Sequence, residues 1–147
     1  MEKLFTLKWE RGQEYILEKT DIGYVAMIAT EGGSFSGQLN GTVEPVGAGV
    51  VLSVNDDENS NIKVDMILKE DNGGYIFAEG KLILNLEPNL IQKMMDGETV
   101  DKSEYYYKGT MVFHTSEERL KYLEKKLFAI DVEIHKWDGV IMDIYML

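Results

Sequence analysis

The 147 residues include no cysteine. This excludes disulfides, thiolate metal sites and cysteine nucleophiles together, and it agrees with a reducing, cytoplasmic location. Histidine is almost as scarce: His114 and His135 are the two, and no HExxH spacing joins them, so no metal is expected. No uninterrupted apolar run approaches the roughly 18 residues of a spanning helix. Met1 to Glu10 mixes charges with apolar residues and lacks the apolar core of a signal peptide. The chain is therefore expected to be soluble, with no membrane partner. Basic residues are outnumbered, 15 against 26 acidic, and the formal net charge of -11 repels phosphate backbones and anionic lipid alike. No nucleic-acid partner is expected.

Cofactor loops are missing too. Gly47-Ala48-Gly49 lacks the third glycine of a dinucleotide loop and falls between expected strands, and no GxSxG elbow or phosphate loop occurs, so no cofactor is expected. The acidic run Asp56-Asp57-Glu58-Asn59-Ser60-Asn61 fails as a calcium loop. Counted from Asp57, Ile62 stands where glycine is required and Leu68 where the bidentate glutamate belongs.

What is present is short β-prone segments punctuated by 14 glycines and two prolines. The length suits one domain, residues 1–147, large enough to bury roughly 70% of its unfolded surface. Ile62, Val64, Met66 and Leu68 alternate with polar residues, which gives a half-buried strand. Asp71-Asn72-Gly73-Gly74 then supplies a tight turn, and Tyr75 to Asn85 alternates again, so residues 61–85 form a hairpin. Further strands are expected at about Lys3–Arg11, Gly23–Thr30, Ser34–Glu44, Gly49–Val54, Glu104–Thr115, Ala129–Trp137 and Val140–Leu147, the last two joined at Asp138-Gly139. Nine short strands predict an all-β, mainly antiparallel fold, a closed or nearly closed barrel of about 8–10 strands.

One segment departs from this pattern. Leu120, Leu123 and Leu127 recur at helical spacing, acids open the segment and Lys125 and Lys126 close it, and Thr115 with Glu118 resembles a capping box. This predicts an amphipathic helix at about 116–127, plugging one end of the barrel or packing on its wall. A shorter helical turn is expected from Pro88 to Met95, stopped by Gly97.

The ordered glycines and aromatics carry a resemblance. Gly32-Gly33 with Gly37 and Gly41, Pro45 followed by Gly47, Asp71-Asn72-Gly73 before a strand containing Gly80, Gly97 ahead of Tyr106-Tyr107, and Phe113-His114-Thr115 leading into Tyr122-Leu123 together resemble the small β-barrel family known as domain of unknown function 3237. The resemblance spans nearly the whole chain. It implies a lipocalin-like antiparallel barrel with a helix before its last strands, and no established activity. Where the family pattern places an Asp-Trp pair after the Pro-Gly turn, this chain has Gly49-Val50, and a basic middle-strand position is Ile67. A site served by those residues would be altered here.

Three functional readings follow. The first is binding of a small apolar or aromatic molecule inside the barrel, lined by Trp9, Met66, Tyr107, Met111 and Phe113. Tyr107 would supply a hydroxyl in an apolar pocket, or serve as an aromatic core filler. The second is cofactor-independent acid–base catalysis, for which Glu79, Lys108 and His114 converge if the polar register faces inward. The third is a barrel filled by its own side chains that acts as a structural module or homo-oligomer, with an outer strip such as Tyr75 and Phe77 at the interface.

Overall fold

The computed structural model describes residues 1–53 and 59–147. Val54 and the acids Asp56 to Glu58 considered above as a calcium loop lie outside the described residues. Among the described residues nine strands form one antiparallel sheet: β1 (Glu2–Thr20), β2 (Gly23–Gly37), β3 (Gly41–Val43), β4 (Ala48–Ser53), β5 (Asn59–Glu70), β6 (Tyr75–Asn85), β7 (Tyr106–His114), β8 (Phe128–His135) and β9 (Gly139–Met146). The order is β1-β9-β8-β7-β6-β5-β3-β2, and the pairing of β1 with β2 closes the ring. β3 and β4 share one place in the wall. β3 pairs the Gly33–Phe35 part of β2 with the Leu68–Glu70 part of β5, and β4 pairs lower-numbered residues of the same two strands. The wall is therefore a closed eight-strand barrel. The jog between β3 and β4 is made at Gly47, whose φ of 81° is one that L side chains avoid.

The expected break between Thr30 and Ser34 is absent, because β2 runs through it. Glu10 pairs with Gly32 and Arg11 with Thr30, so β2 carries one extra residue there and its inward set shifts from Ala26, Ile28 and Thr30 to Phe35. Gly32 and Gly33, at φ of 154° and 149°, make the bend. Both hairpins read from the sequence are present, β5–β6 around residues 71–74 and β8–β9 around residues 136–138.

Among the described residues three short helical segments accompany the barrel, one of them a single 3-10 turn at Lys102–Glu104. The expected amphipathic helix at 116–127 is a 3-10 segment at Glu118–Lys125, with Leu120 and Leu123 buried and Leu127 exposed. Thr115 does not cap it in a box with Glu118. Its hydroxyl donates to the Tyr75 carbonyl at 2.7 Å and accepts from the Glu117 N–H at 3.1 Å, tying the segment to β6. The helix α1 (Pro88–Met95) starts on its proline, as anticipated, and buries Leu90 and Met94.

The barrel interior is unevenly filled. Phe5 lies 4.8 Å from Phe35 and 6.0 Å from Phe113 between ring centroids, and Phe113 lies 4.9 Å from Phe128. With Met66, Leu68, Ile76 and Met111, these rings fill one half of the barrel, and Leu120 and Leu123 join the same cluster. Burying each such side chain contributes about 1.5–3 kcal/mol, so this end anchors the fold. At the other end β7 and β8 diverge, pairing only between Lys108–Met111 and Phe128–Asp131. The Tyr105 hydroxyl accepts the Ile134 N–H at 2.9 Å where a strand carbonyl would otherwise do so. Leu86, Leu90, Met94 and Val100 form a second small core beside that gap.

Candidate functional site

The open half of the barrel is a cavity of about 660 Å³. Its walls are the inward residues of the strands that hold aliphatic or small side chains at this level, among them Ile28, Val51, Ile62, Leu82 and Met142. Gly49 lines it as well and contributes no side-chain volume. Gly80 sits between the two halves: a Cβ there would lie 2.7 Å from Val64 Cγ1 and 3.3 Å from Met111 Cε, so a larger residue would have to displace those side chains. Pro88, Ile91 and Met95 bring α1 to the same cavity.

Its polar groups are few and specifically placed. Arg11 and Glu14, three apart on one strand, would point to opposite faces of a regular β-strand. Arg11 pairs with Thr30 and Glu14 with Ile28, so β1 carries one extra residue between them, and the bulge returns both side chains to the cavity. The Arg11 Nε donates to Glu14 Oε1 at 2.7 Å and its Nη2 donates to the same oxygen. The guanidinium also lies over the Trp137 ring, 4.8 Å from the centroid, and the Arg11 N–H donates to the Asp138 carbonyl at 2.9 Å. The Trp9 indole N–H donates to Thr30 Oγ1 at 2.9 Å, so the indole is fixed and its hydrogen-bonding capacity is used. Ser53 and Ser60 share a hydrogen bond of 2.8 Å in the wall between β4 and β5.

Tyr107 differs from these. It is 8% exposed, it lines the cavity, and among the described residues its hydroxyl has no hydrogen-bond partner. Among those residues no fully buried side-chain oxygen or nitrogen lacks a partner, so this hydroxyl is not sealed in protein. Burial pushes its pKa well above the ordinary tyrosine value, against a smaller opposing pull from the Arg11 guanidinium. At neutral pH it is a donor, not a phenolate.

The structure divides the residues expected from the sequence. Trp9 and Tyr107 line the cavity. Met66, Met111 and Phe113 do not: each is 1% exposed and packed in the filled half. Strand parity assigned them correctly to the interior but says nothing of height along the barrel axis. Glu79 and His114 do meet, with His114 Nε2 2.8 Å from Glu79 Oε1, but on the outer wall, where both are about half exposed. Lys108 is also outside, 2.9 Å from Asp131 Oδ1. The inward register is the apolar one, so these three do not converge in the cavity. Among the described residues no group of three or more His, Asp or Glu is placed to hold a metal, and no helix is long and apolar enough to cross a membrane.

Arg11, Glu14 and Trp137 were not foreseen as site residues. The available signal was Gly12, a glycine inside a strand next to a charged residue in the inward register, which marks a bulge.

The profile of the family described as a protein of unknown function (DUF3237) matches residues 1–147. The chain belongs to the DUF3237 family. Among curated proteins it is 25% identical to the UPF0311 protein blr7842 of Bradyrhizobium diazoefficiens, over 98% of this chain and 93% of that one. The crystal structure of the conserved protein of unknown function RPA1785 from Rhodopseudomonas palustris superposes with a TM-score of 0.89 at 23% identity, covering 99% of this chain and 95% of the other. A protein described as an enzyme from Penicillium herquei superposes with a TM-score of 0.71 at 16% identity, covering 99% and 92%. At these identities the two structures show that this chain shares their fold, and no more.

Proposed function

We propose that this DUF3237 barrel binds a small apolar or aromatic molecule in the open half of its interior. The observation that carries this reading is the cavity of about 660 Å³, walled by aliphatic side chains and closed at its far end by the phenylalanine cluster. Ligand sites are typically concave, mostly apolar, about 300–1,000 Å³ in volume, and furnished with a few oriented polar groups. A barrel acting as a structural module alone gains nothing from an unfilled half, since close packing there would add dispersion contacts and stability.

The test uses N-phenyl-1-naphthylamine, a neutral apolar fluorophore, titrated into the wild type and into Val51→Trp. Val51 faces the cavity and is only partly buried, so a larger side chain enters the cavity rather than the core. Saturable binding that Val51→Trp abolishes supports the reading. If that variant unfolds, Ala26→Phe provides a second block on the neighbouring strand. Absence of saturable binding, or binding indifferent to a folded blocking variant, overturns it.

Acid–base chemistry in the same cavity is a second reading, favoured by the gathering of Arg11, Glu14 and Tyr107 at its surface. Glu79, Lys108 and His114 have no part in it.

A further inference from the structure

Besides the Trp137 indole N–H and Glu14 Oε2, two side-chain groups of the residues named above in the cavity wall make no hydrogen bond among the described residues, and both bear on the same region. One is the Tyr107 hydroxyl. The other is Nη1 of Arg11, which makes no hydrogen bond among the described residues while Nε and Nη2 are both committed to Glu14 Oε1. Both groups are donors. Tyr107 is more than nine-tenths buried, and Arg11 is the charged residue that acts on its hydroxyl most strongly. An occupant that expels water from the cavity leaves both donors unsatisfied unless it brings an acceptor, and that loss disfavours a plain hydrocarbon.

We propose that the occupant is an apolar molecule carrying a single carbonyl oxygen, received between the Tyr107 hydroxyl and Nη1 of Arg11; this rests on the binding reading above. A carbonyl oxygen has two lone pairs and no hydrogen, so it satisfies two convergent donors at once. A carboxylate fits less well for two reasons. Its paired oxygens seek the forked face of a guanidinium, and Glu14 already occupies Nε and Nη2. The chain's formal charge of -11 also repels an anion on approach. The stacking of Arg11 on Trp137 and its bond to Glu14 hold the guanidinium in place before any ligand arrives, so little conformational freedom remains to be lost. The site is thus pre-organised for a neutral acceptor on an apolar body.

The experiment places three naphthalenes of similar size in competition with N-phenyl-1-naphthylamine: 2-acetylnaphthalene, 2-ethylnaphthalene and 2-naphthoate. In the wild type the ketone should displace the fluorophore at a concentration about 3- to 10-fold lower than the hydrocarbon, the range of one or two hydrogen bonds. The naphthoate should be weaker than the ketone. In Tyr107→Phe, which keeps the ring, and in Arg11→Gln, the ketone's advantage should shrink toward unity while the fluorophore itself still binds. Equal displacement by ketone and hydrocarbon in the wild type overturns the inference. So does an advantage that survives Tyr107→Phe or Arg11→Gln, or a naphthoate stronger than the ketone. In each of those outcomes the fluorophore has bound, and the binding reading stands. If the fluorophore does not bind at all, the binding reading fails and this inference fails with it.

Discussion

Glu70 shows how one buried carboxylate can tie two elements together. It closes β5, its side chain is 2% exposed, and it accepts from Arg119 Nη2 at 2.5 Å and from the Asn72 N–H at 2.8 Å. Arg119 also donates to the Gly73 carbonyl at 2.6 Å, so the β5–β6 turn is fastened to the 3-10 segment. The Arg119 hydrogen bond is the main influence on the Glu70 carboxyl and holds its pKa below the ordinary glutamate value, against the opposing effect of burial. A folded-state pKa below the unfolded one means that the unfolded chain takes up the proton more readily. The stabilisation is therefore complete above about pH 4.3 and is lost as pH falls through that value toward the folded one. Urea unfolding of wild type and Glu70→Gln should show a stability gap at pH 7 that narrows at pH 3.5. A gap that stays constant between the two would mean that the ionised form of Glu70 contributes nothing. Glu70 was not distinguishable in the sequence. It continues the inward register after Leu68, and in a half-buried strand read from alternation a terminal glutamate is simply the point where the apolar pattern stops. Trp9 and Tyr107 were legible because an aromatic in the inward register has few other places to go. Arg11 was not, because a charge in that register is uninformative until the bulge beside it is known.

Elements were legible wherever periodicity was unbroken. β5 and β6 alternate without fault, and their pairing follows the expected turn. β2 was read as two strands because an extra residue near Gly32-Gly33 changes its parity, and a parity change with two glycines has the same signature as a turn. The 3-10 segment was read as an α-helix of about twelve residues, since Leu120 and Leu123 suit either geometry at a separation of three. What separates the two is Leu127, which an α-helix would bury and which is 61% exposed. Leu123 is 0% exposed in the main core cluster. Leu123→Ala should therefore cost about 2–5 kcal/mol in unfolding free energy, and a loss of under about 0.5 kcal/mol would show that the segment does not seal this end. The bulge in β1 invites a second test. Deleting Gln13 removes the extra residue and leaves Arg11 and Glu14 two apart opposite Thr30 and Ile28, so both side chains should still face the cavity from a regular strand. The deletion variant should remain folded by thermal unfolding and keep the ketone preference over 2-ethylnaphthalene; a folded variant that loses it would show that the bulge itself, and not strand parity, positions Arg11.

The whole molecule separates stability from space. Phe113→Ala in the filled half should cost about 3–5 kcal/mol, as expected for removal of a fully buried aromatic. Val51→Ala, which enlarges a cavity that is already open, should cost well under half as much, and comparable losses from chemical denaturation would show that the two halves are not energetically distinct. The same asymmetry has a consequence in time. Backbone amides in the phenylalanine-rich half are shielded by core on one side and by strand pairing, with both β6 and β8 at Met111 and with β6 at Phe113. Near Ile134, where β7 and β8 part, a tyrosine hydroxyl is the acceptor. Amide deuteration should therefore proceed as a gradient along the barrel axis. Ile134 and its neighbours in β8 should exchange through local opening, and Met111 and Phe113 only through unfolding of the whole barrel. A molecule seated in the cavity would slow the first group far more than the second, so exchange would report occupancy residue by residue without any knowledge of the ligand's identity.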